Sequence, residues 1–269
     1  MIPKKLKAAT IKAMLKDAEA RYPKESCGVV IINDKGKEEY IPIDNTSVDP
    51  TEEFRMCVDG FADADSRGTI VGICHSHPDE TTRPSPHDIA VMSKNREIEL
   101  LVDPDSKPTP WHIVSWPEGD YRQIIPEVPG SLLDRPFVHG VWDCWASCEA
   151  YYNKYHGLTF PKYVREDKWW ETKDTTSFYE EMYPAAGFYK VSGQPQPGDL
   201  IIMQCGRTYH PNHAAVYLGE VGEFEDRKYH GSTLMFHHMY GKKSEVIVYG
   251  GQWLQRTSFI LRHKEVKNV

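Results

Sequence analysis

Two strings in this 269-residue chain combine residue types that do chemistry. The first is His75-Ser76-His77-Pro78, followed by Ser85-Pro86-His87-Asp88. On an extended segment the period of two puts the His75 and His77 imidazoles on one side and Cys74 and Ser76 on the other. Asp88, in the first turn of a following helix, adds a carboxylate across a short loop. Two histidines and one carboxylate with an open fourth position form the donor set of a catalytic zinc. Zinc acidifies its bound water and polarises a carbonyl, but a base must accept and return the proton. Glu25, just ahead of a strand expected at 27–32, is the candidate base, and Ser85 is placed to donate a hydrogen bond to a developing oxyanion. Each piece has an ordinary explanation by itself: His-x-His is common in loops, Ser-Pro-x-Asp caps helices, and a Glu after a helix is usually solvated. The ordering of the pieces is what points to chemistry.

The second string is Val141-Trp142-Asp143-Cys144-Trp145-Ala146-Ser147-Cys148. Asp143 suits an N-cap, which places Cys144 at a helix N-terminus, where the dipole and free amides favour the thiolate. Cys148, one turn later, is expected in the core. A thiolate nucleophile needs an imidazole partner, and His213 opens the run His213-Ala214-Ala215-Val216-Tyr217-Leu218-Gly219 after Pro197-Gly198-Asp199-Leu200. A third polar group should orient that imidazole, and His237 or His238 on the next apolar run can do so. The ordinary alternatives are a buried free cysteine and a chance histidine at a strand start.

The elements that must position these residues fall into two halves. Leu6, Ile11, Met14, Leu15 and Ala18 recur at helical spacing until Pro23, a strand at 27–32 turns into a hairpin partner at 38–43, and a strand at 69–74 runs into His75, so the motif is expected to begin where the strand ends. Ser85 caps a helix, with Pro86 at its first position and Asp88 at its third, and strands are expected at 98–102 and 111–116. The stretch from Pro117 to Pro136 holds four prolines without a sustained period, so residues 118–135 read as a linker between domains at 1–117 and 136–269. The second domain opens with a helix near Asp143, passes through an aromatic-rich irregular stretch, and continues in five strand-like runs, an α+β arrangement; the first is α/β or α+β.

Composition supports two soluble globular domains of this kind and excludes other classes. The net charge is −7, from 32 Lys plus Arg against 39 Asp plus Glu, with no basic run, so no nucleic-acid partner is expected. No stretch approaches a membrane span and the start shows no signal-peptide core, so folding in the host cytoplasm with six reduced cysteines is expected.

Glu25, His75-Ser76-His77-Pro78 and Ser85-Pro86-His87-Asp88 resemble the JAMM metalloprotease motif over about residues 1–117. The resemblance implies a zinc-dependent peptidase or isopeptidase, with His75, His77 and Asp88 as Zn2+ ligands, Glu25 as general base and Ser85 as oxyanion support; it assigns His87 no role. The order Asp143-Cys144, Pro197-Gly198-Asp199-Leu200, His213-Ala214-Ala215-Val216-Tyr217-Leu218-Gly219 and a second histidine-bearing strand resembles the NlpC-type cell-wall cysteine peptidases over 136–269. That implies a papain-like α+β domain with Cys144, His213 and His237 as the triad, acting on peptidoglycan stem peptides at the bond between D-glutamate and diaminopimelate. Trp145-Ala146 stands where that family usually has Ser-Gly. The two domains in this order are similar to the tail-tip assembly proteins of long-tailed bacteriophages, which implies other tail-tip proteins as partners and the virion tail tip as a destination. A structural component that binds peptidoglycan and zinc without turnover is the alternative, and a deubiquitinase would leave the Cys144 half idle.

Overall fold

The expected helical stripe forms α1 (Ala8–Arg21), which buries Met14 and Ala18. It is followed by β1 (Cys27–Asn33), β2 (Glu38–Ile43), α2 (Val58–Ser66), β3 (Gly68–Pro78), α3 (Pro86–Val102), β4 (Trp111–Trp116) and β5 (Tyr121–Ile124). This is a computed structural model; it describes residues 5–163, 165, 168–174, 176–230 and 233–266, and it divides into units Met1–Val128 and Pro129–Val269. In the first unit the strand order is β2-β1-β3-β4-β5, with β3 and β4 parallel and the other pairs antiparallel. Alternation along the strands separates two cores. Val30, Cys74 and Val114 pack with Met14 and Ala18 of α1, while Val29, Ile31, Ile41 and Ile43 pack with Ala64 of α2.

Three expectations for this unit are corrected. The histidine motif does not begin where a strand ends: β3 continues through Pro78, because its parallel register with β4 pairs His75 with Ile113, His77 with Ser115 and Pro78 with Trp116. Residues 98–102 are the last turns of α3, where the pairs Lys94–Glu97 and Arg96–Glu99 at i,i+3 support a helix and leave Leu101 and Val102 mostly exposed. The short α2, carrying Gly60 and three aspartates, was not expected at all.

The second unit contains α4 (Cys144–His156), α5 (Phe178–Ala185), β6 (Phe188–Val191), β7 (Leu200–Met203), β8 (His213–Gly219), β9 (Glu223–Phe224), β10 (Arg227–Lys228), β11 (Leu234–His237), β12 (Glu245–Val248), α6 (Gln252–Arg256) and β13 (Thr257–His263). Its large sheet runs β12-β11-β8-β7-β13-β6, and every pair in it is antiparallel. All five strand-like runs of the sequence are strands. Helix α4 starts on its expected cap, the Asp143 side chain accepting from the Ala146 amide at 2.9 Å, and stops at Gly157, whose φ of 67° is open to glycine at little cost. It lays Trp145, Cys148 and Tyr152 against Ala214, Val216 and Phe236 of the sheet, with Cys148 in the core as expected.

The span expected as a linker is more structured than a tether. Tyr121–Ile124 is β5, and Leu132 and Leu133 are buried in the core of the second unit. There the Leu132 amide donates to Glu225, and the Arg135 amide donates to Ser244 Oγ. Prolines without periodicity therefore concealed an edge strand and an anchored lead-in.

Asp199, immediately before β7, is 1% exposed and accepts from Arg262 Nε and Nη2 at 2.7 Å each and from the Gln196 amide at 2.8 Å, tying β13 and the entry loop to β7. Charge-assisted bonds of this kind contribute roughly 1.5–3 kcal/mol. Asp199→Ala is expected to lower the urea-unfolding stability of the second unit by about 2 kcal/mol, with Asp199→Asn less affected. Unchanged unfolding midpoints in both variants reject this role.

Candidate functional sites

Strand alternation places His75 and His77 on the same face of β3, and α3 brings Asp88 to them. His75 Nε2 lies 3.1 Å from His77 Nε2 and 3.1 Å from Asp88 Oδ1, and His77 Nε2 lies 3.2 Å from Asp88 Oδ2. All three side chains are buried. Asp88 is held by a reciprocal capping box: its Oδ2 accepts from the Ser85 amide at 2.8 Å, and its own amide donates to Ser85 Oγ at 3.1 Å. The device that starts α3 thus also aims the carboxylate.

The donor set fits a divalent cation. His77 Nδ1 sits 2.8 Å from the Thr81 carbonyl oxygen, so it carries the proton and Nε2 presents a lone pair. That lone pair faces a carboxylate and a second imidazole, a gathering of acceptors that calls for a positive charge among them. The electrostatics agree. Burial opposes the charge on Asp88, yet its contacts with the two imidazoles, which are hydrogen bonds when the rings are protonated, and the bond from the Ser85 amide hold its carboxyl well below the usual range. Burial lowers His75, whereas for His77 the bonds to Asp88 and Thr81 outweigh burial and raise it. Phe54 stacks on the His75 ring at 4.6 Å and restricts its orientation.

Glu25 precedes β1, whose antiparallel register pairs Cys27 with His75 and so carries Glu25 towards His77. Its carboxyl is 6% exposed, and burial, countered by the charge of His77, pushes it up to about 8. Oε2 has no partner among the described residues. Ser85 Oγ is engaged as an acceptor in the cap, which leaves its hydroxyl proton to donate. His87 is peripheral, 3.9 Å from Glu53.

In the second unit, Cys144 and His213 line the same cavity of about 290 Å³ with Tyr179, Asn212, Arg165 and Tyr240. His213 Nε2 lies 2.9 Å from His237 Nδ1 and the rings meet nearly edge to face, so His213 Nδ1 is the nitrogen left for a proton from outside the pair. His237 and His238 diverge as neighbours on a strand must. His238 is bonded to Ser147 Oγ at 3.1 Å and to the Lys242 carbonyl at 3.2 Å, away from His213. Of the two open choices, only His237 contacts the first histidine.

The thiol departs from expectation. Cys144 Sγ is 3.3 Å from Tyr179 OH, and no hydrogen bond joins it to His213. Burial first, then the adjacent Asp143 carboxylate, pushes the thiol up to about 11 despite Tyr179, the Ala214 amide and Arg165, which pull it down. Burial likewise holds His213 well below its ordinary value, and His237 down to about 4. The resting site therefore pairs a neutral thiol with neutral imidazoles, and the helix N-terminus does not by itself create a thiolate. Sequence reasoning missed Tyr179 and Arg165, which arrive from the aromatic-rich stretch; Arg165 bonds Asp143 at 2.7 Å. No spacing rule links those positions to Cys144.

Comparison with known proteins agrees with the two family resemblances. A family model described as prokaryotic homologs of the JAB domain matches residues 7–119, and one described as the NlpC/P60 family matches residues 134–262. Over 262 residues the chain is 39% identical to the tail tip assembly protein K of Escherichia phage N15, covering 97% of each chain. It is 29% identical over 212 residues to the protein of the same name from Escherichia phage lambda, covering 78% of this chain and 89% of that one. A protein of Desulfitobacterium hafniense solved in solution is 22% identical and covers 45% of this chain and 91% of its own, with a TM-score of 0.31, a likeness too slight to build on.

Two measurements test these geometries. Chain equilibrated with zinc and then desalted is expected to retain about one zinc per chain, lost in His77→Ala and in Asp88→Ala; full retention in either variant removes that residue from the ligand set. A thiol stays protonated below its pKa, so one raised to about 11 gains reactivity steadily with pH. Iodoacetamide labelling of Cys144, followed by peptide mass spectrometry, is expected to accelerate about tenfold per pH unit from pH 6 to 10. A labelling plateau below pH 7 contradicts the neutral-pair state.

Proposed function

As the chain belongs to the family of the tail tip assembly proteins K of phages N15 and lambda and carries JAB and NlpC/P60 domains, we propose that its second domain is a cysteine endopeptidase. Its substrate is the stem peptide of bacterial peptidoglycan, cut between D-glutamate and diaminopimelate. The observation that carries this reading is the shared cavity, which Cys144 and His213 both line, with His237 bonded to His213 behind it. With thiol and imidazoles neutral at rest, proton transfer accompanies attack: Cys144 Sγ bonds to the scissile carbonyl carbon as His213 Nδ1 takes the thiol proton. His237 holds the ring and shares the positive charge. Collapse breaks the C–N bond, the leaving amine takes the proton from His213, and water then hydrolyses the thioester by the same base. A backbone amide near Cys144 stabilises the oxyanion.

In the first domain we propose that His75, His77 and Asp88 hold zinc for hydrolysis of an amide or isopeptide bond, in a tail protein during assembly. Zinc bound there supplies a Lewis acid and an acidified water. Glu25 holds and returns a proton at its carboxylate: a group titrating near 8 exchanges protons readily at neutral pH. Ser85 donates towards the developing oxyanion. The setting is the host cytoplasm during assembly and the virion tail tip, with other tail-tip proteins as partners.

The test is to incubate the full chain with purified muropeptides, with and without a zinc chelator and a thiol alkylator, and to read products by mass spectrometry. Cleavage at the D-glutamyl bond is expected to survive the chelator and to vanish with the alkylator, and Cys144→Ser is expected to lose at least about 10³-fold in rate. Undiminished cleavage by Cys144→Ser, or cutting at another bond, rejects the assignment.

A further inference from the structure

We propose that Glu245 is a fourth member of the thiol site, a positioning residue whose carboxylate accepts the Nε2 proton of His237 and thereby fixes the tautomers of both histidines. The inference rests on the reading of Cys144 and His213 as nucleophile and base, and it follows from counting protons. For His213 Nδ1 to accept the thiol proton, the neutral ring must carry its own proton on Nε2. That proton points along the 2.9 Å contact to His237 Nδ1, which must then be the acceptor. His237 is consequently the Nε2–H tautomer, and its donor needs a partner of its own. His237 Nε2 is buried and has no hydrogen-bond partner among the described residues.

The sheet supplies one. In the antiparallel pairing of β11 with β12, His237 stands directly opposite Glu245, so the two side chains share a face, and Glu245 Oε1 lies 3.7 Å from His237 Nε2. That is within ion-pair reach and slightly long for a hydrogen bond, a gap that a small rotation of a half-exposed glutamate closes; such contacts commonly tighten only with substrate in place. The other carboxylate beside the thiol, Asp143, is engaged by the Gly140 and Ala146 amides and by Arg165. His213 and the neighbouring His238 are neutral rings, Arg256 repels positive charge on the pair, and Trp253 presents its ring edge to face at 5.1 Å. When His213 is protonated during the reaction, the Glu245 charge, 3.7 Å from His237 Nε2, favours the imidazolium pair. The run is then thiol, imidazole, imidazole, carboxylate, each ring passing its orientation to the next.

The test uses the full chain labelled with 15N-histidine, and reads tautomers from two-bond 1H–15N correlations. Parent His237 is expected as Nε2–H. Glu245→Ala is expected to mix its tautomers, while Glu245→Gln, which keeps an acceptor oxygen, preserves them. With muropeptide substrate, Glu245→Ala is expected to lower kcat about tenfold at unchanged KM. Both variants should move the acid limb of kcat/KM to lower pH, because the charge that favours the imidazolium is gone. Glu245 is half exposed on an edge strand, so its variants keep the fold, which circular dichroism checks. Parent His237 found as Nδ1–H, or tautomers that respond to Trp253→Leu and not to Glu245→Ala, overturns the proposal. A parent that cuts no stem peptide, yet shows the expected tautomers and their loss in Glu245→Ala, rejects the peptidase reading and leaves the role of Glu245 standing.

Discussion

A neutral imidazole has one proton for two nitrogens, and when the ring is buried both nitrogens must still find partners of the right sense. That constraint organises both sites of this chain. In the first domain His77 donates from Nδ1 to a backbone carbonyl, so its Nε2 turns a lone pair towards Asp88 and His75. Acceptors facing acceptors at about 3 Å in a buried space form a donor group that fits a cation. In the second domain the same arithmetic runs along a line, from His213 through His237, and each ring's tautomer is set by the next group outward. One domain converges its lone pairs and the other relays its protons.

The same accounting decides between two opposing effects on Cys144. Its place at the N-terminus of α4 favours the thiolate, but a helix terminus is worth roughly 0.3–1 kcal/mol, less than the ~1.4 kcal/mol that moves a pKa by one unit. Burial and the neighbouring Asp143 act the other way and are larger, so the thiol is raised to about 11. Asp143 illustrates the compromise. It caps α4 through Ala146 and bonds Arg165, and both tasks fix the helix start at the cost of placing a carboxylate beside the nucleophile. An imidazole that stays neutral is the matching base for a thiol that stays protonated.

Much of this was legible in the sequence where local rules govern. His75 and His77 share a face because strands alternate, Asp88 reaches them because a capping box starts α3, and Asp143 caps α4 because short acceptors do so. The strands at 213–219 and 257–262 followed from apolar runs. What was not legible depends on partners distant in the chain. The apolar residues at 98–102 look like a strand until the ion pairs of α3 are considered, and the continuation of β3 through His77 needs its parallel neighbour β4. Likewise the choice between His237 and His238 is invisible in a string of letters. It is decided by the register of β11 with β8, which pairs His237 with Ala215 and so sets its side chain on the sheet face that carries His213. The linker concealed Leu132 and Leu133, whose burial answers to Glu225 and Ser244 far along the chain.

Two glutamates show how environment divides one side chain into two uses. Glu25 is walled in beside His77 and Asp88, and desolvation raises it until it can hold a proton near neutral pH. It is suited to moving that proton and unsuited to holding a permanent charge. Glu245 stands half in solvent opposite a buried ring. It can orient a donor and favour a cation without taking the proton away. The residue type is the same, and burial, the largest influence on Glu25, is what separates the two.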